Sequence, residues 1–569
     1  MTSPRPGRLA VLEQFAADGF DRMFGNPGTV EQGLLDELRH VPDLQYVLTL
    51  HETVAVMTAD GYARAGSRPA LVQIHSTPGL GNAVGALYQA HRGHAPLVVI
   101  GGDAGVRYQP MAAQMAGDLV GMARPVTKWA AQVSDPASVL RMVRRAIKIA
   151  ATPPTGPVYL CLPADVLDAD CTERVVPTVV PDTRVAPDDT VIADLARRLA
   201  AAERPVILAG DGVAFSGAHA ELAAVAELVG AQVWDADAGE VTLPHTHPCH
   251  QGSTGHMFGS HSLPILQHGD VVLVVGTYVV PEVFPELGEV FRPDAHVAHV
   301  DLDTDAIAKN HRVDTAVAAD PRRTLAALAR RLHDTMPEQA RRTGRARVAA
   351  MAAAKERDSV AARSADAGRR GRRPLDFSEF AEALARRLDD DAVVVDEALT
   401  NSPALTRYRP APAPGRHLLT RGGSLGIGFP GAIGAKLAVG ERTVVGVSGD
   451  GGSMYTAQAL WTAARHRVDT VFVVCNNRSY RLLQSNIGAW WREQGLDRSD
   501  YPTAFDLSEP PIRFDTLAES MGVTGIRVEK SEQIGSALDD ALDERGPVLL
   551  DVVVEGDVHP ELVGVRCGQ

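Results

Sequence analysis

The sequence predicts three doubly wound α/β domains, each built on a parallel sheet. Three observations lead there. Short apolar runs of strand length alternate with helical segments along most of the chain, the pattern of a sheet covered on both faces. The runs are continuously apolar, as strands buried on both faces are. The 569 residues are 45% hydrophobic but only 5% aromatic, and Ala, Val and Gly abound, which suits α/β cores. At roughly 150–200 residues per domain, about three domains fit.

The first block covers residues 1–182, with strands expected at 22–24, 45–48, 70–75, 97–101 and 158–162. The Pro- and Asp-rich stretch 180–189 reads as a linker. The second block covers 187–335, with strands at 205–209, 271–275 and 296–300. Residues 336–373 are Arg- and Ala-rich and read as a solvated helix plus a flexible connector. The third block covers 374–569, with strands at 392–395, 443–447, 470–474 and 548–553, and a helix at 454–468.

The bulk numbers exclude some functions. Fifty-six basic against seventy acidic residues give a formal charge of −14, so no nucleic-acid partner is expected, not even for the Arg-rich stretch. No apolar run approaches the roughly 20 residues that span a bilayer. The start Met1-Thr2-Ser3-Pro4-Arg5 leads into no secretory core. Cys161, Cys171, Cys249, Cys475 and Cys567 are dispersed, as reduced thiols in a cytoplasm are. A cytoplasmic protein with no membrane partner is expected.

The chemistry begins at Gly449-Asp450-Gly451. One strand precedes it, a helix follows, and a second strand ends in Asn476-Asn477. Asp450 and Asn477 should therefore lie at the carboxyl ends of two strands of one βαβ unit, where open α/β sheets bind ligands. A carboxylate and a carboxamide are hard oxygen donors suited to Mg²⁺. The glycines let backbone approach a diphosphate. Gly210-Asp211-Gly212 also follows an apolar run, but position 238 is Ala, so it reads as an ordinary βα turn. Gly79-Leu80-Gly81-Asn82-Ala83-Val84-Gly85 departs from the dinucleotide fingerprint by one residue and reads as a turn into a helix. Glu52, taken by position alone, is a dipole partner at a helix N-terminus.

The Asp450/Asn477 spacing resembles the cofactor motif of thiamine diphosphate (ThDP) enzymes. Phe24-Gly25-Asn26-Pro27-Gly28-Thr29, His51-Glu52 and Ile74-His75-Ser76-Thr77-Pro78-Gly79 resemble the pyrimidine-binding domain of the benzoylformate decarboxylases. Ala459-Leu460-Trp461-Thr462-Ala463-Ala464 continues the likeness, and acetolactate synthase-like proteins share much of it.

The resemblance implies pyrimidine-binding, middle and diphosphate-binding domains in that order. It implies Mg²⁺ held by Asp450, Asn477 and the carbonyl of Ser479, with Gly449, Gly451, Gly452, Ser453 and Tyr480 against the cofactor and Leu425 as the wedge that bends it. Glu52, kept from bulk water, would share a proton with the aminopyrimidine ring. His75 would transfer protons, although a lone histidine there also reads as a hydrogen-bonded core residue. Thr29 falls where the family places a serine near the substrate carboxylate.

Asn26 and Gly28 shape the same loop. The segment 478–486 departs from the family: Arg481, Gln484 and Asn486 read either as a solvated helix face or, with Leu482, as a substrate rim too polar for a phenyl group. A second catalytic histidine is missing: Val283 lies near its place, with His250 and His256 as alternatives. The activity implied is non-oxidative decarboxylation of a 2-oxo acid to an aldehyde, with carboligation. An acetolactate synthase-like ligase and a non-catalytic ThDP-binding subunit are the alternatives. FAD is not expected, and a homodimer with shared sites, commonly a homotetramer, is.

Overall fold

The computed structural model describes residues 5–236 and 238–565. Cys567 lies outside them, and the other four cysteines are buried free thiols. Three six-stranded sheets form the frame, and every strand pairing within them is parallel.

The first sheet runs Gln45–Leu48, Arg22–Gly25, Ala70–Ile74, Leu97–Asp103, Val158–Pro163, Trp129–Gln132. The third runs His417–Leu419, Val393–Glu397, Val444–Gly449, Val471–Asn476, Val548–Val553, Thr524–Val528. Counted along each domain, both have the order 2-1-3-4-6-5. The middle sheet runs His250–Ser253, Gln232–Asp235, Pro205–Ala209, Val271–Val275, His296–Asp301, Thr315–Ala318, the 3-2-1-4-5-6 order of doubly wound nucleotide-binding folds. Central strands such as Ala70–Ile74, Pro205–Ala209 and Val548–Val553 are buried at every residue. That explains their unbroken apolar runs.

The solvated helix expected within 336–373 is one long helix, Glu338–Ala367, resting by one side on the middle domain, and residues 368–373 lead from it to the third. A Cβ at Gly344 would meet Leu228 O at 2.4 Å, so only glycine permits that approach. Near its far end, buried Asp366 accepts from Arg407 Nη1 at 2.6 and 2.8 Å. The helix expected at 454–468 shortens to Ala459–His466, and a separate turn, Asp450–Ser453, precedes it. Thr456 interrupts the run because its buried hydroxyl donates to Gly426 O (2.6 Å).

The first and third domains meet through the helices Glu52–Gly66 and Gly428–Val439. Their backbones touch where side chains are missing: Gly61 lies against Gly431, and Gly434 against Thr58 and Tyr62. Each domain also lends a residue to the other's core, Val54 to the third and Ile427 to the first.

A buried ionic knot ties in the middle domain. Arg64 donates to Glu240 Oε1 (2.6 Å), Gly239 O (2.6 Å) and Leu419 O (3.0 Å). Asp211 accepts from the Gly239 and Glu240 amides (2.7 and 3.0 Å) and from Arg421. The turn at Gly210-Asp211-Gly212 is thus a βα turn that also joins domains.

Candidate functional site

Strand Gln45–Leu48 ends in a turn that His51 caps, its Nδ1 accepting from Thr53 N (3.2 Å), and Glu52 opens the helix. The Glu52 carboxylate is 4% exposed. Its two oxygens accept from Asn26 Nδ2 (3.1 Å) and Asn82 Nδ2 (3.0 Å). Gly79 lies so close that a Cβ there would stand 3.0 Å from Oε1. Glycine at 79 and the amides at 26 and 82 therefore shape a small polar box around one acid. Asn82 was not singled out from sequence, where it sat inside a glycine-rich stretch that read as a turn.

His75 follows strand Ala70–Ile74. Its Nδ1 lies 2.8 Å from Glu31 Oε2. Gly28 packs flat on the ring, since a Cβ there would overlap it. Thr29 and Glu31 share the single 3-10 turn Thr29–Glu31, Thr29 exposed and Glu31 buried. Asn26, Gly28, Thr29, Glu52 and His75 thus surround one corner of the first sheet at its carboxyl edge. Glu31 escaped sequence reasoning because its only signal is an acid two residues after Thr29.

The second cluster stands on the third sheet. Asp450 follows Val444–Gly449 and is 4% exposed. Its oxygens accept from the Gly451 amide (2.8 Å) and the Arg478 amide (2.6 Å). No cation of the described chain pairs with it, and burial pushes its carboxyl up to about 6. Asn477 follows Val471–Asn476, and its Oδ1 accepts from Ser479 N (3.0 Å).

Around them, Gly449 faces open space, with nothing within 4 Å of where a Cβ would be. Gly451 lies under the Tyr480 ring, and Ser453 Oγ donates to Gly449 O (2.8 Å). Gly452 is buried near Ser448 Oγ. A buried carboxyl lacking a counter-charge, beside an amide oxygen and an open glycine, fits a divalent cation and a diphosphate.

Leu425 is half-buried on the loop before Gly428–Val439. Glu397, at the end of a strand and fully buried, fixes that loop. Its carboxylate accepts from Gly426 N (2.6 Å), Gly428 N (2.9 Å) and Ser448 Oγ (3.0 Å). Sequence reasoning missed it, although an acid closing a buried apolar strand was the available signal.

The substrate-rim expectation is corrected at Arg481. Arg481 is 3% exposed and turns inward, donating to Thr400 Oγ1 (3.0 Å), Asn401 Oδ1 (2.6 Å) and Glu555 Oε1 (2.8 Å). Asn486 Oδ1 accepts from Gly564 N (2.9 Å), tying the helix Arg481–Glu493 to the C-terminal segment. Leu482 is half-buried on that helix. Among the residues weighed for the missing histidine, His250 is buried with Nε2 3.0 Å from Asp235 Oδ2. Val283 is 57% exposed and accepts nothing chemical in its side chain; its amide donates to His256 O (3.1 Å).

A cavity of about 810 Å³ opens elsewhere, between the first and middle domains, lined by Asp211, Tyr278 and Asp303 among others. Neither Glu52 nor Asp450 lines it, so size does not mark the chemistry.

Family models match the chain domain by domain. Residues 7–122 match the model of the thiamine pyrophosphate enzyme N-terminal TPP binding domain. Residues 192–328 match the central domain and 400–552 the C-terminal TPP binding domain. Benzoylformate decarboxylase of Pseudomonas aeruginosa is 31% identical over 95% of this chain and 98% of its own. A probable acetolactate synthase large subunit of Methanocaldococcus jannaschii is 28% identical over 96% and 92%. The solved thiamine diphosphate-dependent 4-hydroxybenzoylformate decarboxylase of Rhodococcus jostii RHA1 superimposes with a TM-score of 0.83 at 26% identity, covering 97% of this chain and all of that one. With a sheltered acid on one sheet, oxygen donors at two strand ends of another, and family matches over all three sheets, this chain belongs to the thiamine pyrophosphate enzymes of the benzoylformate decarboxylase and acetolactate synthase group.

Proposed function

We propose that the protein is a Mg²⁺- and ThDP-dependent decarboxylase of a 2-oxo acid, releasing an aldehyde and able to join it to a second carbonyl. The observation that carries this is the Glu52 box: one buried carboxylate held by two amides, with Gly79 against it. Asp450, the Asn477 amide oxygen and the Ser479 carbonyl would hold the cation. Gly449, Gly451, Gly452 and Ser453 would line the diphosphate, with Tyr480 alongside, and Leu425 would press against the cofactor. ThDP, when bound, supplies the carbon nucleophile and the electron sink for loss of carbon dioxide.

The protein's own part is narrower. Glu52 holds a proton at the pyrimidine ring nitrogen, while Asn26 and Asn82 keep its carboxylate oriented. His75 moves a proton at Nε2, and the exposed Thr29 hydroxyl binds the substrate carboxylate. Exposed apolar side chains on both sides of the site support shared assembly. Leu50 stands two residues before Glu52, and Met454 and Tyr455 follow the turn Asp450–Ser453, each 45% exposed or more. We assign them to a second copy, with the acid and the cation ligands of one site coming from different subunits.

The relatives named acetolactate synthase support a ligase reading, which the same assay separates. Purified protein with ThDP and Mg²⁺ is offered pyruvate, benzoylformate and branched 2-oxo acids, and the products are identified by chromatography. Aldehyde as the main product supports the proposal, whereas acetohydroxy acids as the main product support the ligase. Glu52→Gln should retain Mg²⁺-dependent ThDP binding in calorimetry and lose turnover by roughly 100-fold or more. Normal turnover in that variant would remove the proton role of Glu52.

A further inference from the structure

We propose that Glu31 is the positioning residue for His75: it holds the ring through Nδ1 and reserves Nε2 for proton exchange with the substrate. This rests on His75 being the proton-transfer group of the proposed decarboxylase.

Four observations carry it. The Nδ1 to Oε2 distance is 2.8 Å, and this is the hydrogen bond the structure gives the ring. Glu31 is 3% exposed, a depth at which a carboxylate is rarely found without a task. Its second oxygen, Oε1, is buried with no hydrogen-bond partner of good geometry, and the nearby Glu31 and Gly102 amides offset the burial only in part. Finally, both partners are boxed by glycines. A Cβ at Gly28 would overlap the His75 ring, and one at Gly102 would overlap Glu31 Oε1. Backbone therefore packs directly against both partners.

The consequence is a fixed tautomer. A carboxylate on Nδ1 keeps a proton there, so the neutral ring presents Nε2 as a base and the protonated ring presents it as an acid. When Nε2 gives its proton to the substrate carbon, the ring returns to neutral and the Nδ1 proton stays between ring and carboxylate. Solvent then restores the Nε2 proton. Burial raises the Glu31 carboxyl, and the facing His75 ring offsets part of that rise. The neighbours do not compete for the Nδ1 proton. Tyr46, Tyr159 and Cys161 face Glu31 and are held protonated by burial. Asp103 and Glu52 are the other acids near these groups, and each is held by its own donors, Asp103 by the Ala104 amide and Gln109, Glu52 by Asn26 and Asn82.

The test uses the holoenzyme with Glu31→Gln, Glu31→Asp, His75→Ala and the double variant Glu31→Gln/His75→Ala. Glu31→Gln should lower kcat by roughly 10–100-fold, the range seen when an orienting partner of a histidine is lost. It should also shift the kcat–pH profile and leave Mg²⁺-dependent ThDP binding unchanged. Glu31→Asp should recover part of the loss. In the His75→Ala background, Glu31→Gln should cost nothing further. Magic-angle-spinning NMR of ¹⁵N-histidine protein without substrate, with His75 assigned by difference from His75→Ala, should show the ring proton on Nδ1 in the parent and redistributed in Glu31→Gln. That readout needs no turnover, so it tests Glu31 separately from the decarboxylase reading. A parental tautomer and pH profile in Glu31→Gln would overturn the proposal. So would a further loss in the His75→Ala background. Full parental turnover in His75→Ala would instead overturn the role of His75, and the proposal with it.

Discussion

Gly434→Ala should unfold the junction on which the site depends, and the structure sets the size of the effect. An added Cβ would sit 1.8 Å from Thr58 O and 2.7 Å from Tyr62 N. A carbon tolerates a carbonyl oxygen at roughly 3.3 Å, so the helices must part by about 1.5 Å. The obstacle is helix backbone and cannot rotate away. Overpacking typically costs about 1–3 kcal/mol, and a backbone obstacle belongs at the upper end. Alanine in a helix interior returns about 1 kcal/mol of propensity over glycine.

The net loss should be about 2 kcal/mol or more, with Glu52 displaced because it heads the helix that moves. Gly61→Ala, whose Cβ would lie 2.1 Å from Gly431 O, should behave alike. Gly66→Ala is the control from the same helix: its nearest neighbour is the Ala438 Cβ at 3.4 Å, an ordinary contact. It should be neutral or slightly stabilising. Urea unfolding of the three variants, with ThDP uptake by calorimetry, checks the order. Equal midpoints for Gly434→Ala and Gly66→Ala would refute the reasoning.

Other consequences are as direct. Arg64→Met strands Asp60 and Glu240 in the interior, since Arg64 pairs with both and its side chain is 2% exposed; a loss of about 3–5 kcal/mol is expected in urea unfolding, and an unchanged midpoint would contradict the knot between domains. Asp450 is raised to about 6 in the fold against 3.8 for the ordinary group, so the native state binds more protons between those values. Its contribution is present below the lower value and lost as pH rises through about 6, a change of about 3 kcal/mol against the ThDP-free protein. Protons and Mg²⁺ compete for that carboxylate, so ThDP uptake should weaken about tenfold per pH unit below 6. Calorimetry from pH 5 to 8 measures this, and a flat affinity would refute it. Asp450→Ala should weaken uptake at every pH in the same measurement.

The sequence exposed most central strands and hid most edges, although the edge Gln45–Leu48 was legible and the inner strand Gln232–Asp235 was not. Runs such as Pro205–Ala209, Val271–Val275 and Val548–Val553 are buried on both faces, so their composition alone marks them. Trp129–Gln132, His250–Ser253, Thr315–Ala318, His417–Leu419 and Thr524–Val528 lie at sheet edges, where one side of the ladder is unpaired and polar residues are tolerated.

The candidate site divides the same way. Glu52, Asp450 and Asn477 follow strands directly and stand in recognisable spacing. Glu31 and Glu397 act through hydrogen bonds to residues distant in the chain, His75 and the Gly426–Gly428 amides, and no local pattern announces such partners. Arg481 misled because a polar residue on a helix next to the site has no sequence mark for facing inward. Its partners Thr400, Asn401 and Glu555 come from two other segments.

The shared strand order of the first and third sheets gives these particulars a common cause. Glu52–Gly66 connects the second and third strands of its domain, and Gly428–Val439 connects the same two strands in the other. The two helices are topological counterparts, and they pack on each other with reciprocal exchange of Val54 and Ile427. His75 and Asp450 are counterparts too, each following the third strand. The scaffold therefore offers two equivalent crevices at strand ends, and side chains alone make them differ. Where the first domain opens its helix with an acid, the third opens with Gly428. A Cβ there would stand 2.8 Å from the Ser448 Cβ and 3.1 Å from Glu397 Oε2. The buried Glu397 carboxylate, needed to hold the loop of Leu425, excludes a second acid at that helix head. One crevice is left for proton chemistry and the other for oxygen donors, by packing rather than by any change of fold.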